Sequence, residues 1–202
     1  GYVGSCYDLQ PARDNARDIK RMTRLYHALS ATNKAIVHSR DAATLLPQVC
    51  RVAVEFGELD LAWIGFPEQY SRVLKATAVQ GRGCWADLSI AGLECRLTAV
   101  GVPAEALIVN DPAASPVTRA CEGCVAHTPE GSFAVFPIRL GEGPDGVLVL
   151  RKAEKNFFDE HTVALLDELS ADIGFALRNY RRDETLRLAA KVFENNSEGI
   201  VI

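Results

Sequence analysis

The chain of 202 residues carries 22 basic and 26 acidic side chains and a formal net charge of −4, and no basic run is long enough to neutralise a row of phosphates, so nucleic acid is not an expected partner. Hydrophobic residues make up 48% and charged residues 24%, ordinary globular values that exclude collagen-like, disordered and low-complexity classes. No stretch approaches the roughly 18 to 20 consecutive apolar residues of a bilayer span, and Gly1 to Leu9 lack the parts of a secretory signal, so a cytoplasmic segment without direct membrane contact is expected.

In chain order, Gly4, Ser5, Asp8 and Pro11 follow no period, and residues 1–18 read as linker. From about Asp14 to Val37, the positions Met22, Leu25, Leu29, Thr32 and Ile36 recur at spacings of three and four, the seam of a coiled-coil-like helix. A second helix is predicted over Thr44 to Phe56, with Leu45, Leu46, Val49, Val52, Ala53 and Phe56 turned inward and Pro47 near its first turn. Strand character follows at Asp60 to Phe66, Arg72 to Val79, Ala106 to Val109, Phe133 to Leu140 and Val147 to Lys152. The last two flank a loop rich in Gly, Pro and Asp, so they should pair as an antiparallel hairpin. Between Gly81 and Ser132 the pattern is irregular except for one short strand, and so long a stretch is expected to cover a site. Asp159 is placed to cap a long helix from Glu160 that buries Leu166, Leu169, Ile173, Ala176 and Tyr180 and continues to Lys191, roughly 45 to 50 Å at ~1.5 Å per residue.

Several segments together resemble a GAF domain: Leu61-Ala62-Trp63-Ile64-Gly65 as its first strand, Val109-Asn110-Asp111-Pro112 as its "vvNDp" segment, and Ser132 to Ile138 with Gly146-Val147-Leu148 as its last hairpin. Phe157-Phe158-Asp159 matches the usual approach to the last helix. The resemblance implies an α+β fold, an antiparallel β-sheet flanked by helices, with a sensor domain over residues 19–180 and a signalling helix over 181–191. Ala189 to Ile200 is similar to the opening of a PAS domain, so residues 192–202 are expected to begin a further domain. GAF followed by PAS resembles the sensory half of bacterial signalling proteins that end in GGDEF and EAL domains, which turn over cyclic di-GMP, or in a histidine kinase. The implied function is a non-catalytic sensor of a small ligand or of redox state. No cofactor can be named from the sequence.

Trp63, Trp85, Cys95, Asp111 and Phe133 are the candidate ligand-lining residues. Trp63, on an alternating strand, also reads as core. Trp85 lies in the irregular segment, and Asp111 can hold its turn by bonding nearby backbone amides. The six cysteines, Cys6, Cys50, Cys84, Cys95, Cys121 and Cys124, are too few for a disulfide scaffold and read as mostly reduced thiols. Cys121-Glu122-Gly123-Cys124 could join Cys84, Cys95 and His127 in a metal or redox cluster, but one CxxC is half a zinc site, and less than about one metal per chain is expected.

An alternative follows from the same thiols, because free methionine sulfoxide reductases are GAF proteins with three cysteines in this region, to which Cys84, Cys95 and Cys121 are similar in spacing. That chemistry needs an attacking thiolate and a resolving thiol. The resemblance also implies acidic residues on the last hairpin to hold the substrate's ammonium group, where this chain has Phe133, Val149 and Arg151. Finally, the entering and leaving helices carry apolar seams longer than one domain covers, so a homodimer through the terminal helices is expected, with Leu25, Leu29, Ile173 and Tyr180 near its seam.

Overall fold

The computed structural model describes residues 10–68, 73–87, 94–95, 102–115, 130–141 and 143–196. Among these residues, three α-helices, α1 (Gln10–His38), α2 (Ala42–Glu55) and α3 (Glu160–Asn196), flank six strands: β1 (Leu61–Pro67), β2 (Leu74–Gly81), β3 (Glu94–Cys95), β4 (Leu107–Val109), β5 (Ser132–Arg139) and β6 (Pro144–Lys152). The strands form one sheet in the order β3-β2-β1-β6-β5-β4, every neighbouring pair antiparallel. Segregated helices on an antiparallel sheet make the fold α+β, as expected from the sequence.

The helix boundaries follow their local chemistry. Helix α1 runs from Gln10, four residues before Asp14, and Pro11 is compatible with a first helical turn, where its missing N–H would have had no partner. Asp41 caps α2, its carboxylate accepting from the Thr44 amide at 2.7 Å. Leu45, Leu46, Val49, Val52 and Ala53 are buried as predicted, but Phe56 is 46% exposed. It is the C-cap residue, where Gly57 and the left-handed Glu58 (φ 55°) swing the chain toward β1 and off the inner stripe.

The predicted hairpin forms, Val135 opposite Val149 and Phe133 opposite Arg151. Pro144 to Gly146 join β6 rather than the loop, which Asp145 closes by accepting from the Leu140 and Gly141 amides at 2.7 and 3.0 Å. Strand β3 has two residues, too short to show a period in the sequence. Alternation then splits the sheet into two faces. Ala62, Ile64, Ala78, Ala134, Phe136, Ile138, Leu148 and Leu150 face the helices and make the main core with α2 and α3.

Helix α3 spans 37 residues, about 55 Å at 1.5 Å per residue, and passes Lys191 by five residues. It lies on β5 at close range: a Cβ at Gly174 would stand 2.7 Å from the Arg139 carbonyl oxygen, and the Ser170 hydroxyl donates to the Pro137 carbonyl at 2.9 Å. Helices α1 and α3 run parallel, since Arg21 pairs with Asp159 at one end and the Tyr180 hydroxyl lies 3.1 and 3.0 Å from the Ile36 and Ser39 carbonyls at the other. The expected dimer-seam residues are consequently used within the chain. Leu25 is 3% and Ile173 0% exposed, Leu29 packs on the main core, and Tyr180 ties α3 to the end of α1. The face of α1 that remains outside carries Ile19, Tyr26 and Val37.

Asp159 caps α3 through the Thr162 amide at 2.8 Å and also faces Arg21. Burial raises its carboxyl pKa, but the Thr162 hydrogen bonds and the charges of Arg21 and His161 outweigh it, and the net shift is downward. A carboxyl of depressed folded-state pKa stabilises the fold above its unfolded value, about 3.9, and that contribution is lost as the pH falls through the folded value. Asp159→Asn keeps a capping side chain but not the charge. Thermal melts should show it less stable than the parent at neutral pH by at most about 1 kcal/mol, the pair being partly solvent-screened, with the gap closing below about pH 4.

Candidate functional site

The sheet face turned away from the helices is also apolar. Leu61 and Trp63 from β1, Leu74 and Ala76 from β2, Val109 from β4, Phe133 and Val135 from β5, and Val147 and Val149 from β6 form one buried cluster, against which Val79, Trp85, Val102 and Leu107 pack. Cross-strand register orders it into rows: Gly81, Leu61, Arg151, Phe133 and Val109 in one, and Val79, Trp63, Val149, Val135 and Leu107 in the next. Trp63 is 1% exposed, so it is part of this packing.

One position breaks the apolar pattern. Arg151 is 3% exposed in the middle of its row, donating to the Glu130 carbonyl at 2.7 Å, with its guanidinium 5.4 Å from the centre of the Trp85 ring. Burial pulls its pKa below the ordinary arginine value, while the charges of Asp60 and Cys84 act in the opposite sense. The guanidinium stays charged at any physiological pH. Trp85 can lie here because β2 ends in glycine: a Cβ at Gly81 would stand 2.2 Å from the Trp85 carbonyl oxygen. Gly83 (φ 61°) then supplies the left-handed turn that carries Trp85 over β6.

Of the five candidate lining residues, the structure brings together Trp63, Phe133 and Trp85 on this face. Cys95 sits on β3, its backbone opposite Leu74. Asp111 lies beyond the end of β4, where its carboxylate is 3.2 Å from the Lys155 ammonium, and its side chain makes no bond to the turn that follows. The neighbouring Asn110 does the holding instead. Its side-chain amide donates to the Phe158 carbonyl at 3.0 Å and accepts from the Phe158 amide at 3.2 Å, clamping β4 to the start of α3. Arg151 was absent from the candidates, although Val147, Val149 and Arg151 alternate along one strand and so had to share a face.

Cys121, Cys124 and His127 lie outside the described residues, and among those described no group of three His, Cys, Asp or Glu side chains could hold a metal ion. Cys84 is an exposed free thiol in the turn before Trp85, whereas Cys50 is buried. Burial pushes the Cys50 thiol up to about 12, against a weaker opposing hydrogen bond to the Ile64 backbone. Because the thiolate is the nucleophile, a maleimide at neutral pH should label Cys84 and spare Cys50 in the folded chain, with Cys50 reacting only after denaturation. Peptide mass spectrometry checks this.

The family model of the GAF domain matches residues 39–178, from the end of α1 to the last turn of α3 that packs on the sheet. The chain belongs to the GAF family. No curated protein matches its sequence. Solved structures are similar in fold to this GAF domain at low identity. The GAF domain of a phosphoenolpyruvate-protein phosphotransferase from Coxiella burnetii has a TM-score of 0.62 at 16% identity, over 81% of this chain and 98% of that one. A free methionine-R-sulfoxide reductase from Neisseria meningitidis, solved with its substrate, has 0.61 at 17%, over 91% and 98%. Residues 122 to 287 of a methyl-accepting chemotaxis protein give 0.61 at 16%, over 77% and 98%. The GAF fold accordingly occurs both in signalling proteins and in an enzyme. Among the described residues of this GAF domain, no helix is long and apolar enough to cross a membrane.

Proposed function

We propose that this GAF domain is a non-catalytic cytoplasmic sensor that holds a small molecule on the outer sheet face and passes its state along α3 to an output domain. The observation that carries this reading is the outer face itself, an apolar floor with Trp63, Phe133 and Trp85 around one buried cation. Helix α3 supplies the output: from Arg181 to Val192 every residue is exposed, so this part of the helix has no structural role within its own domain. Residues 181–191 act as a signalling helix, followed by a PAS-like domain from residue 192 and an output of the GGDEF/EAL type, acting on cyclic di-GMP, or of the histidine kinase type. A change in the site that favours one sheet geometry would shift α3, and the continuous helix would hand that shift on. The sensor works as a parallel homodimer with its terminal helices bundled.

The test is native mass spectrometry of the purified chain for a co-purifying small molecule, repeated on Arg151→Leu. A bound molecule in the parent that is lost in a folded variant supports the reading. A parent that carries nothing, and whose tryptophan emission is unmoved across a panel of small metabolites, opposes it.

The alternative, a free methionine sulfoxide reductase, has in its favour the similarity to the Neisseria meningitidis enzyme and the exposed Cys84. Against it stands Arg151: a guanidinium in place of a carboxylate repels an amino acid's ammonium group. Incubation with free methionine sulfoxide and a reductant decides between them, turnover that disappears in Cys121→Ser being the result that favours the enzyme.

A further inference from the structure

The turn between α2 and β1 joins the outer sheet face to the helix layer. Glu58 is a non-glycine residue in left-handed backbone (φ 55°), and its carbonyl points to two cations at once. Arg82 Nη2 donates to it at 2.7 Å from the turn that carries Trp85, and Lys152 Nζ donates to it from the end of β6. Two residues on, Asp60 repeats the pattern. Its carboxylate accepts from Arg82 Nε at 2.9 Å and from the Ala153 amide at 2.6 Å, and its carbonyl accepts from the Arg82 amide at 2.9 Å. The Glu58 carboxylate, in turn, pairs with Arg24 of α1.

The end of β6 makes the arrangement two-sided. Consecutive strand residues point to opposite faces, so Arg151 lies under Trp85 on the outer face while Lys152 lies on the helix face, 5.6 Å from the centre of the Phe157 ring. Arg21 of α1 stacks on that same ring at 5.8 Å and pairs with the α3 cap Asp159. Arg82 therefore stands three residues from Trp85 and one residue, Glu58, from α1.

We infer that the Glu58–Asp60 turn is a coupling device that transmits displacement of the Arg82–Trp85 turn on the outer face to α1 through the Glu58–Arg24 pair. Its elements are bistable in kind. A left-handed glutamate is held in place by the groups that grip its carbonyl, so releasing Arg82 removes one of those grips and lets the turn relax toward ordinary backbone, carrying its carboxylate away from Arg24. This use of the turn rests on the sensory reading above, but the linkage exists in the chain without any ligand. It is tested there, so its failure would leave ligand binding untouched.

The experiment is amide hydrogen exchange, read by mass spectrometry, on the whole 202-residue chain in four forms: parent, Arg82→Ala, Glu58→Gln and the double variant. Glu58→Gln keeps the carbonyl acceptor and removes only the charge facing Arg24. Residues 20–28 of α1 should exchange about two- to five-fold faster in each single variant, the range an exposed ion pair accounts for, while the buried stretch Leu45–Val54 of α2 stays unchanged. In the double variant α1 should exchange no faster than in Glu58→Gln alone. An α1 indifferent to Arg82→Ala, or single effects that multiply in the double variant, would overturn the coupling. Arg82→Lys is the milder second variant: it keeps a charge near Asp60 but replaces the separate Nε and Nη2 donors to Asp60 and Glu58 with a single ammonium. If both Arg82 variants speed exchange equally in α1 and α2, the effect is general loosening and the proposal is wrong.

Discussion

Trp63→Ala is expected to cost about 3–5 kcal/mol of unfolding free energy, a large fraction of the roughly 5–15 kcal/mol available to a domain of ordinary stability. Trp63 is the largest of the fully buried side chains, and four strands contribute the valines and leucine of its row, Val79, Val149, Val135 and Leu107. Its ring also fills the space over Gly65, where an added Cβ would stand 2.4 Å from Cζ3. Removing the indole leaves a cavity walled by paired strands, which cannot collapse without breaking ladder hydrogen bonds, so the penalty belongs at the upper end for its chemistry. Urea unfolding followed by circular dichroism should show the midpoint falling with an unchanged slope. A loss below about 1 kcal/mol would mean that Trp63 is not an anchor of the packed outer face.

Trp85, partly buried over Arg151, gives the contrast. A cation–π contact of this kind is worth about 0.5–2 kcal/mol, so Trp85→Ala should spare the fold while opening the outer face. The two tryptophans were separable in the sequence only in part. Trp63 stands in an alternating strand whose neighbours fix which side it faces, whereas Trp85 depends on Gly81 and Gly83 to bring it back over the sheet, a path no periodicity encodes. Arg151 is the opposite case, since its side of β6 was legible from Val147 and Val149. What the sequence could not show was that a tryptophan from a turn far along the chain would cover it.

The same limit explains Asn110 and Asp111. Both are turn formers, and which of two adjacent polar side chains reaches Phe158 is decided by how β4 meets α3, a tertiary matter. The hairpin, the Asp159 cap and the inner face of α2 were legible because each has a local pattern in the sequence: turn residues between two strand-like runs, a capping aspartate, and apolar residues at helical spacing. Glu58 was invisible because a left-handed glutamate has no local signature: its conformation is held by Arg82 and Lys152, distant in sequence. Helix α1 was ambiguous for another reason. It has two apolar stripes, and spacing alone does not say which one its own domain takes.

The structure assigns the stripe of Leu25, Ala28, Thr32 and Ala35 to the domain core, and this determines how the proposed dimer should respond to mutation. Ile19 (67% exposed), Tyr26 (57%) and Val37 (79%) fall, with Thr23, Ser30 and Asn33 between them, on alternating spacings of four and three, the seam of a two-stranded coiled coil. Lys20, His27 and Lys34 flank this seam on one side, and Met22, Leu29 and Ile36 on the other. In an antiparallel pair the basic flank would meet its own copy; in a parallel pair it meets the apolar flank of the partner helix, so repulsion selects the parallel arrangement. Changing Ile19, Tyr26 and Val37 together to Glu should give a folded monomer by sedimentation velocity at tens of micromolar, with a melting temperature close to that of an isolated domain. Leu25→Glu should instead unfold the chain, because it forces a charge into the packed layer between α1 and the rest of the domain. A parent already monomeric at that concentration, or a triple variant that remains dimeric, would show that α1 does not carry the dimer. Should Leu25→Glu give a folded monomer, the buried stripe would have been the interface and the assignment of the two stripes would be reversed.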